Sequence, residues 1–209
     1  IFMYPFDQSG IDNIREHLPL VLTTESLETS PMAKLEWLKF FALFYNQEEL
    51  ATQLFDEIAA RYDSLKDSKK INHGYFMNLP FQGIWNCPPG NSYSVQLISD
   101  AGMLYEYQGT NQDENIQKTR EEIIDECLGT TYWIIIAQRQ TGFSMQDLKS
   151  EDPVYPEFSA VKQGNVIFCN TAESDYFGDA LVEPDVLLWN LKEVISGRAD
   201  SSKYFRRLK

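Results

Sequence analysis

The chain has 209 residues, 43% of them hydrophobic, which is enough to bury a core in one domain or in two small ones. Its formal net charge of −13 would repel a phosphate backbone, so we expect no binding to nucleic acid or to an anionic membrane surface. The three cysteines, Cys87, Cys127 and Cys169, are far apart in sequence and suggest neither a disulfide scaffold nor a zinc knuckle.

The first thirty residues read as part of a βαβ unit. The apolar run 1–6 predicts a strand, residues 11–17 a short helix, and residues 18–22 a second strand. The first strand begins at Ile1, which is not a plausible initiator residue. We therefore expect that the chain comes from a longer protein whose front, including any export signal, precedes Ile1.

Two helices follow. Ser30 and Pro31 predict the start of the first, because proline is tolerated at the first helical position. Asn46, with Glu49 three residues later, predicts a capping box that opens a second helix over 47–66. The apolar stripe of that helix comprises Leu50, Leu54, Ile58, Tyr62 and Leu65. We expect the stripe to be buried along its whole length, in a rod of about 30 Å that could join two lobes.

A second α/β unit begins after Lys70. The predicted strands cover 71–78, 103–107, 132–137 and 166–169, and the predicted helices cover 92–101, 115–128, 153–162 and 184–195. Strands that alternate with helices indicate an α/β fold with a mostly parallel sheet, covered on both faces.

The sequence offers little for catalysis or for a bare metal ion. His17 and His73 are far apart and have no second histidine at ligand spacing. Cys87 and Ser92 are conceivable nucleophiles, but neither lies in a GxSxG elbow or near a histidine in sequence. We predict no catalytic residue, no protein-held metal and no cofactor.

Several side chains are candidates for a binding site. Trp85 is either a core aromatic or a ligand-facing one, and the loop 86–90 that follows it favours exposure. Arg139 follows the strand 132–137 at its carboxyl end, where it is either an ordinary solvated arginine or an anchor for an anionic oxygen group. Tyr176, in the sequence Asp175-Tyr176-Phe177, is expected at the same edge.

Four segments together resemble the class III periplasmic substrate-binding proteins, in particular the iron-complex binding lipoproteins of Bacteroidetes-type bacteria. The segments are Glu28–Phe40, Trp85–Gly102, Phe158–Val166 and Val182–Leu188. The resemblance covers nearly the whole chain and rests on the order and spacing of these segments. It departs from the family at Lys34, where the family often has arginine.

The resemblance implies two Rossmann-like α/β lobes that are joined by a long rigid helix and hold a ligand between them. Residues 1–30 would be a remnant of the N-terminal lobe, 31–70 the linking helices and 71–209 the C-terminal lobe. Most of the first lobe, with the lipid-bearing cysteine near the export signal, would be missing.

The function that the resemblance implies is that of a non-enzymatic, periplasmic and lipid-anchored binding protein. It would capture a ferric siderophore, haem or a cobalamin-like ligand and deliver it to an ABC permease in the inner membrane. Trp85 and Tyr93 match the cleft aromatics by their place in the motif, and with Phe6, Arg139 and Tyr176 they complete the expected ligand-binding set.

Two other classes of function remain open. One is an α/β enzyme or metal-cluster scaffold of related two-lobed architecture, which would require a clustered nucleophile and base or cysteines that converge on one site. The other is an interaction domain whose cleft is degenerate.

Overall fold

The computed structural model describes residues 1–5, 8–66 and 74–209. Its first elements are β1 (Phe2–Met3), α1 (Gln8–Arg15) and β2 (Val21–Leu22), and the two strands pair in parallel as expected for a βαβ unit. Phe6 and His73 lie outside the described residues.

The next two helices are α2 (Pro31–Ala42) and α3 (Glu48–Leu65). Pro31 stands at the start of α2, as predicted. The predicted capping box at Asn46 is wrong, because Asn46 has a left-handed φ of 52° and ends the 3₁₀ turn Leu43–Tyr45. Gln47 is the N-cap residue of α3 and makes no side-chain capping bond.

The remainder of the chain builds the main sheet and its helices. The strands are β3 (Gly74–Met77), β4 (Trp85–Cys87), β5 (Leu104–Tyr105), β6 (Ile116–Lys118), β7 (Tyr132–Ala137), β8 (Val166–Asn170) and β9 (Arg206–Arg207). The helices are α4 (Tyr93–Asp100), α5 (Arg120–Cys127), α6 (Met145–Glu151), α7 (Ser159–Lys162), α8 (Asp179–Val182) and α9 (Pro184–Ile195).

The main sheet has the order β5-β3-β7-β8-β9, in which β5, β3, β7 and β8 are parallel and β9 is antiparallel. The α/β prediction is therefore confirmed. The antiparallel pair of strands β4 and β6 was not predicted. Because β6 occupies Ile116–Lys118, α5 begins at Arg120 and not near residue 115. Thr119 and Glu122 form the capping box at the start of α5.

The sheet is buried on both faces, and neighbouring residues of one strand belong to different cores. Tyr75 and Met77 of β3 face the core made with α4 and α9, whereas Phe76 faces a second core made with α5, α6 and α7. This alternation follows from the period of two along a strand. Within the described ranges, no helix combines the length and the apolar character needed to cross a bilayer.

Only part of α3 is buried, so the expectation of a fully buried stripe is wrong. Leu50 is exposed and Leu54 is 39% exposed, whereas Ile58 and Tyr62 are buried. The second half of α3 is held by the Tyr62 hydroxyl, which donates to Asp100 at 2.7 Å, and by Arg61, whose Nε lies 2.6 Å from an Asp185 carboxylate oxygen. The first half packs on α2 and buries only the small side chain of Ala51.

This difference between the two halves of α3 is testable. We expect Tyr62→Ala to lower the free energy of unfolding by about 3 kcal/mol, because it leaves a cavity in the core. Leu54→Ala should lower it by roughly 0.5 kcal/mol, since that side chain is partly solvated. Urea unfolding of the two variants measures both quantities, and equal losses would contradict the unequal burial of the two halves of α3.

Candidate functional site

Three loops meet at the carboxyl edge of the main sheet. The neighbouring parallel strands β3, β7 and β8 end at Met77, Ala137 and Asn170, and the chain leaves each of them on the same side. In open α/β sheets this edge is where ligands bind.

The loop after β3 forms a tight hairpin. The amide of Phe81 donates to the carbonyl of Ile84 at 2.8 Å, and the amide of Ile84 donates back at 3.0 Å. Gln82 and Gly83, at φ values of 51° and 82°, supply the two left-handed residues that a type I′ turn requires. The hairpin leaves the Phe81 side chain 69% exposed.

Beneath the hairpin, Trp85 is buried. Its exposed fraction is 1%, and its indole Nε1 donates to the carbonyl of Met77 at 2.8 Å. Trp133 donates likewise to the carbonyl of Asn78, also at 2.8 Å. The expected exposure of Trp85 is therefore wrong, because β4 pairs with β6 and directs this side chain into the core while the hairpin before it stays at the surface.

Arg139 lies at the carboxyl end of β7, as expected, but it is already paired. Its Nε donates to a Glu151 carboxylate oxygen at 3.0 Å, and its Nη1 donates to the carbonyl of Gln138 at 3.0 Å. Its backbone amide and carbonyl both bond to the buried side chain of Asn170, at 3.0 Å each. Asn170 thus fixes the loop after β7 to the end of β8.

The loop after β8 exposes Phe177, not Tyr176. Phe177 is 71% exposed, and its ring stands edge-on to the buried Tyr176 ring with the centroids 5.3 Å apart. The Tyr176 hydroxyl is buried and has no hydrogen-bond partner in the described part of the chain, and this burial raises the pKa of Tyr176 well above its ordinary value. Tyr176 supports the exposed ring beside it.

Tyr93 opens α4 and connects it to α2. The ammonium group of Lys34 lies 4.8 Å from the centroid of the Tyr93 ring. Burial lowers the pKa of Lys34, and the nearby carboxylates of Glu25 and Glu28 partly offset this effect. Burial also raises the pKa of Tyr93 above its ordinary value. The Tyr93 hydroxyl is buried, so what Tyr93 contributes near the edge is mainly its ring.

The two conceivable nucleophiles have structural roles. Ser92 is the N-cap of α4, where its hydroxyl accepts a bond from the amide of Val95 at 3.4 Å. The Cys87 thiol is buried, and desolvation raises its pKa to about 12, the opposite of nucleophile activation. Over the residues the structure describes, no group of three or more His, Cys, Asp or Glu is arranged to hold a metal ion.

The structure therefore brings together only part of the expected set. Arg139 and Tyr176 belong to adjacent loops at the carboxyl edge, and Trp85 lies in the core behind the hairpin. The exposed rings at this edge are Phe81 and Phe177, which sequence reasoning did not select. The Phe81-Gln82-Gly83 turn after a strand was the available signal for the first of them.

Solved structures with the same fold are solute-binding proteins. The periplasmic haem-binding protein HutB of Vibrio cholerae matches with a TM-score of 0.70 and 12% identity, over 94% of this chain and 75% of that chain. A possible iron-binding periplasmic solute-binding protein of Staphylococcus epidermidis matches at 0.66 and 13%, over 94% and 74%. A protein of an ABC-type Fe3+-hydroxamate transport system of Saccharomonospora viridis matches at 0.67 and 10%, over 92% and 65%.

Sequence comparison finds a longer relative. An uncharacterised lipoprotein of Methanocaldococcus jannaschii is 25% identical over 209 residues, which are 95% of this chain and 48% of the relative. The chain thus spans about half the length of the curated relative that it matches. No family model matches the sequence. The chain shares the fold of the periplasmic solute-binding proteins.

The burial of the tryptophans predicts their response to an aqueous quencher. Acrylamide should reach Trp189, which is 50% exposed on α9, and should be excluded from Trp85 and Trp133. We expect Trp189→Phe to lower the accessible fraction of the emission, with the half-buried Trp37 supplying the remainder, whereas Trp85→Phe should leave that fraction unchanged. A large drop in accessible emission in Trp85→Phe would show that the indole is exposed after all.

Proposed function

We propose that this chain is the substrate-binding component of an ABC importer, which captures an iron-siderophore or a related metal chelate and delivers it to a permease. The observation that supports this proposal is the fold. The chain shares it with proteins described as haem-binding, as iron-binding and as part of a Fe3+-hydroxamate transport system. Binding and release, without catalysis, are the whole of the proposed activity.

The exposed rings at the carboxyl edge support a chelate as the ligand. Phe81 follows β3 and Phe177 follows β8, and β7 alone lies between these strands. At about 4.8 Å between neighbouring strands, the two strand ends are roughly 10 Å apart. A bulky, partly apolar chelate suits a site that offers exposed aromatic rings on neighbouring loops. The iron would belong to the ligand, so no protein side chain needs to bind it.

The polar part of the proposed site is Arg139. Its pair with Glu151 is about one-third exposed on each side. Exposed ion pairs of this kind contribute only about 0 to 1 kcal/mol, so a carboxylate or another oxygen group of a ligand can replace Glu151 at small cost. Tyr176 would support the Phe177 ring, and Trp85 would hold the strand that follows the Phe81 hairpin. Tyr93 would lie beside the two exposed rings.

The partners and location follow from the same proposal. The relative in Methanocaldococcus jannaschii is described as a lipoprotein, and the structural neighbours are described as periplasmic. We propose a lipid-anchored protein on the periplasmic side of the inner membrane, where the permease lies, with haem and cobalamin-like compounds as alternative ligands. Residues 31–70 would then join a lobe that includes 1–30 to the lobe formed by 71–209.

Calorimetric titration of the chain with a ferric trihydroxamate, haem and cobalamin tests the proposal. We expect saturable binding of at least one chelate. Phe81→Ala and Phe177→Ala should each weaken it about tenfold, which corresponds to roughly 1.4 kcal/mol of lost contact with the ring.

The matched control is Phe44→Ala, because Phe44 is also an exposed phenylalanine but lies after α2, among Phe2 and Phe40. The Phe44→Ala variant should bind the chelate with the same affinity as the parent chain. Absence of binding to all three chelates, or equal weakening in all three variants, would contradict the proposed ligand class or the proposed site, respectively.

A further inference from the structure

Cys87 and Cys127 share one buried core although they are far apart in sequence. Cys87 ends β4 and stands opposite Ile116 of β6, and β6 leads through Thr119 directly into α5, which ends at Cys127. Both side chains are fully buried in the same core. The fold therefore returns the second cysteine to the core that holds the first.

Tyr107 and Lys118 join the end of α5 to the β4–β6 ribbon that carries Cys87. The Tyr107 hydroxyl lies 3.5 Å from Cys127 Sγ and donates to the Glu126 carboxylate at 2.7 Å. Lys118 stands opposite Trp85 in the ribbon, donates to the same carboxylate at 2.7 Å and has its ammonium group 5.4 Å from the centroid of the Tyr107 ring. Both cysteines are free thiols in the structure, in one buried cluster. Cys169 is separate, because it belongs to the core on the opposite face of the sheet and contacts the Ser174 hydroxyl at 3.5 Å.

We propose that Cys87 and Cys127 form a disulfide when the chain folds in oxidising surroundings. Both S–H bonds break and one S–S bond forms. The two electrons and two protons pass to a disulfide oxidant, either a small one such as oxidised glutathione or a protein dithiol oxidase, which is reduced to two thiols. This inference does not depend on the ligand proposed above.

The burial of the thiols determines when the bond forms. Desolvation raises the pKa of both Cys87 and Cys127 to about 12. Only a thiolate attacks a disulfide, so the folded, reduced protein should be almost inert to oxidants. The bond therefore forms during folding, before the core closes, and the closed core then shields it from reductants.

The bond would stabilise the base of the Phe81 hairpin. Cys87 lies just after Trp85, in the strand that follows this hairpin, and a link to the end of α5 would close a loop of about 40 residues. Such a link lowers the conformational entropy of the unfolded chain, an effect that grows with loop length.

Refolding of the reduced chain in a glutathione redox buffer, followed by alkylation in denaturant and tryptic mapping, tests the proposal. Lys118 and Arg120 allow trypsin to separate the two cysteines. We expect a chain about 2 Da lighter than the reduced one, with the two peptides joined and Cys169 alone alkylated. Cys169→Ala should give the same joined peptides and no alkylated thiol, and Cys87→Ala should give two alkylated thiols.

Three alkylated cysteines after refolding, or a link that includes Cys169, would overturn the proposal. A second measurement tests the shielding. Dithiothreitol should reduce the folded, oxidised chain at least a hundredfold more slowly than the same chain in urea, and comparable rates would overturn the buried position of the bond. Reduction in urea followed by refolding without oxidant should lower the melting temperature.

Discussion

Two indole hydrogen bonds at the end of β3 hold the edge of the sheet in place. Trp85 and Trp133 donate to the carbonyls of Met77 and Asn78, where the chain leaves the ladder and Asn78 takes a left-handed φ of 66°. Buried carbonyls without a partner would each cost free energy comparable to a lost hydrogen bond. Phe76 stacks on Trp133 with centroids 5.0 Å apart, so these donors are also fixed by aromatic packing.

Each exposed ring at this edge is close in sequence to a buried aromatic residue. Phe81 belongs to the hairpin that leads into the buried Trp85, and Phe177 follows the buried Tyr176 directly in sequence. The Phe177 ring stands edge-on to the Tyr176 ring, which has few positions open to it in a close-packed core, so Phe177 loses little freedom when a ligand covers it. A binding surface on loops is in this way positioned by the rigid sheet beneath it.

The strongly periodic parts of the fold could be predicted from the sequence, and the short polar parts could not. The apolar run of β7 and the proline-initiated α9 stand where the sequence placed them, because continuous burial and a helix start leave clear patterns. The strands β4 and β6 have three residues each and no alternation to recognise. The exposure of Trp85 was predicted from the surface loop that follows it. A neighbouring loop does not determine which face of β4 this side chain occupies. The approach of Cys87 to Cys127 depends on tertiary packing alone.

For a ligand at this edge, apolar contact outweighs charge. Covering about 100 Å² of apolar surface on each of the two exposed rings would contribute roughly 5 kcal/mol before the cost of association, at about 25 cal/mol per Å², and that cost leaves only part of it as affinity. Arg139 can add little, because an incoming anion only replaces Glu151 in a pair that is about one-third exposed on each side. The chain as a whole is acidic, with a formal charge of −13, and this disfavours polyanions further. Chelates with broad apolar faces and few free charges therefore fit this edge better than compact, highly charged ones.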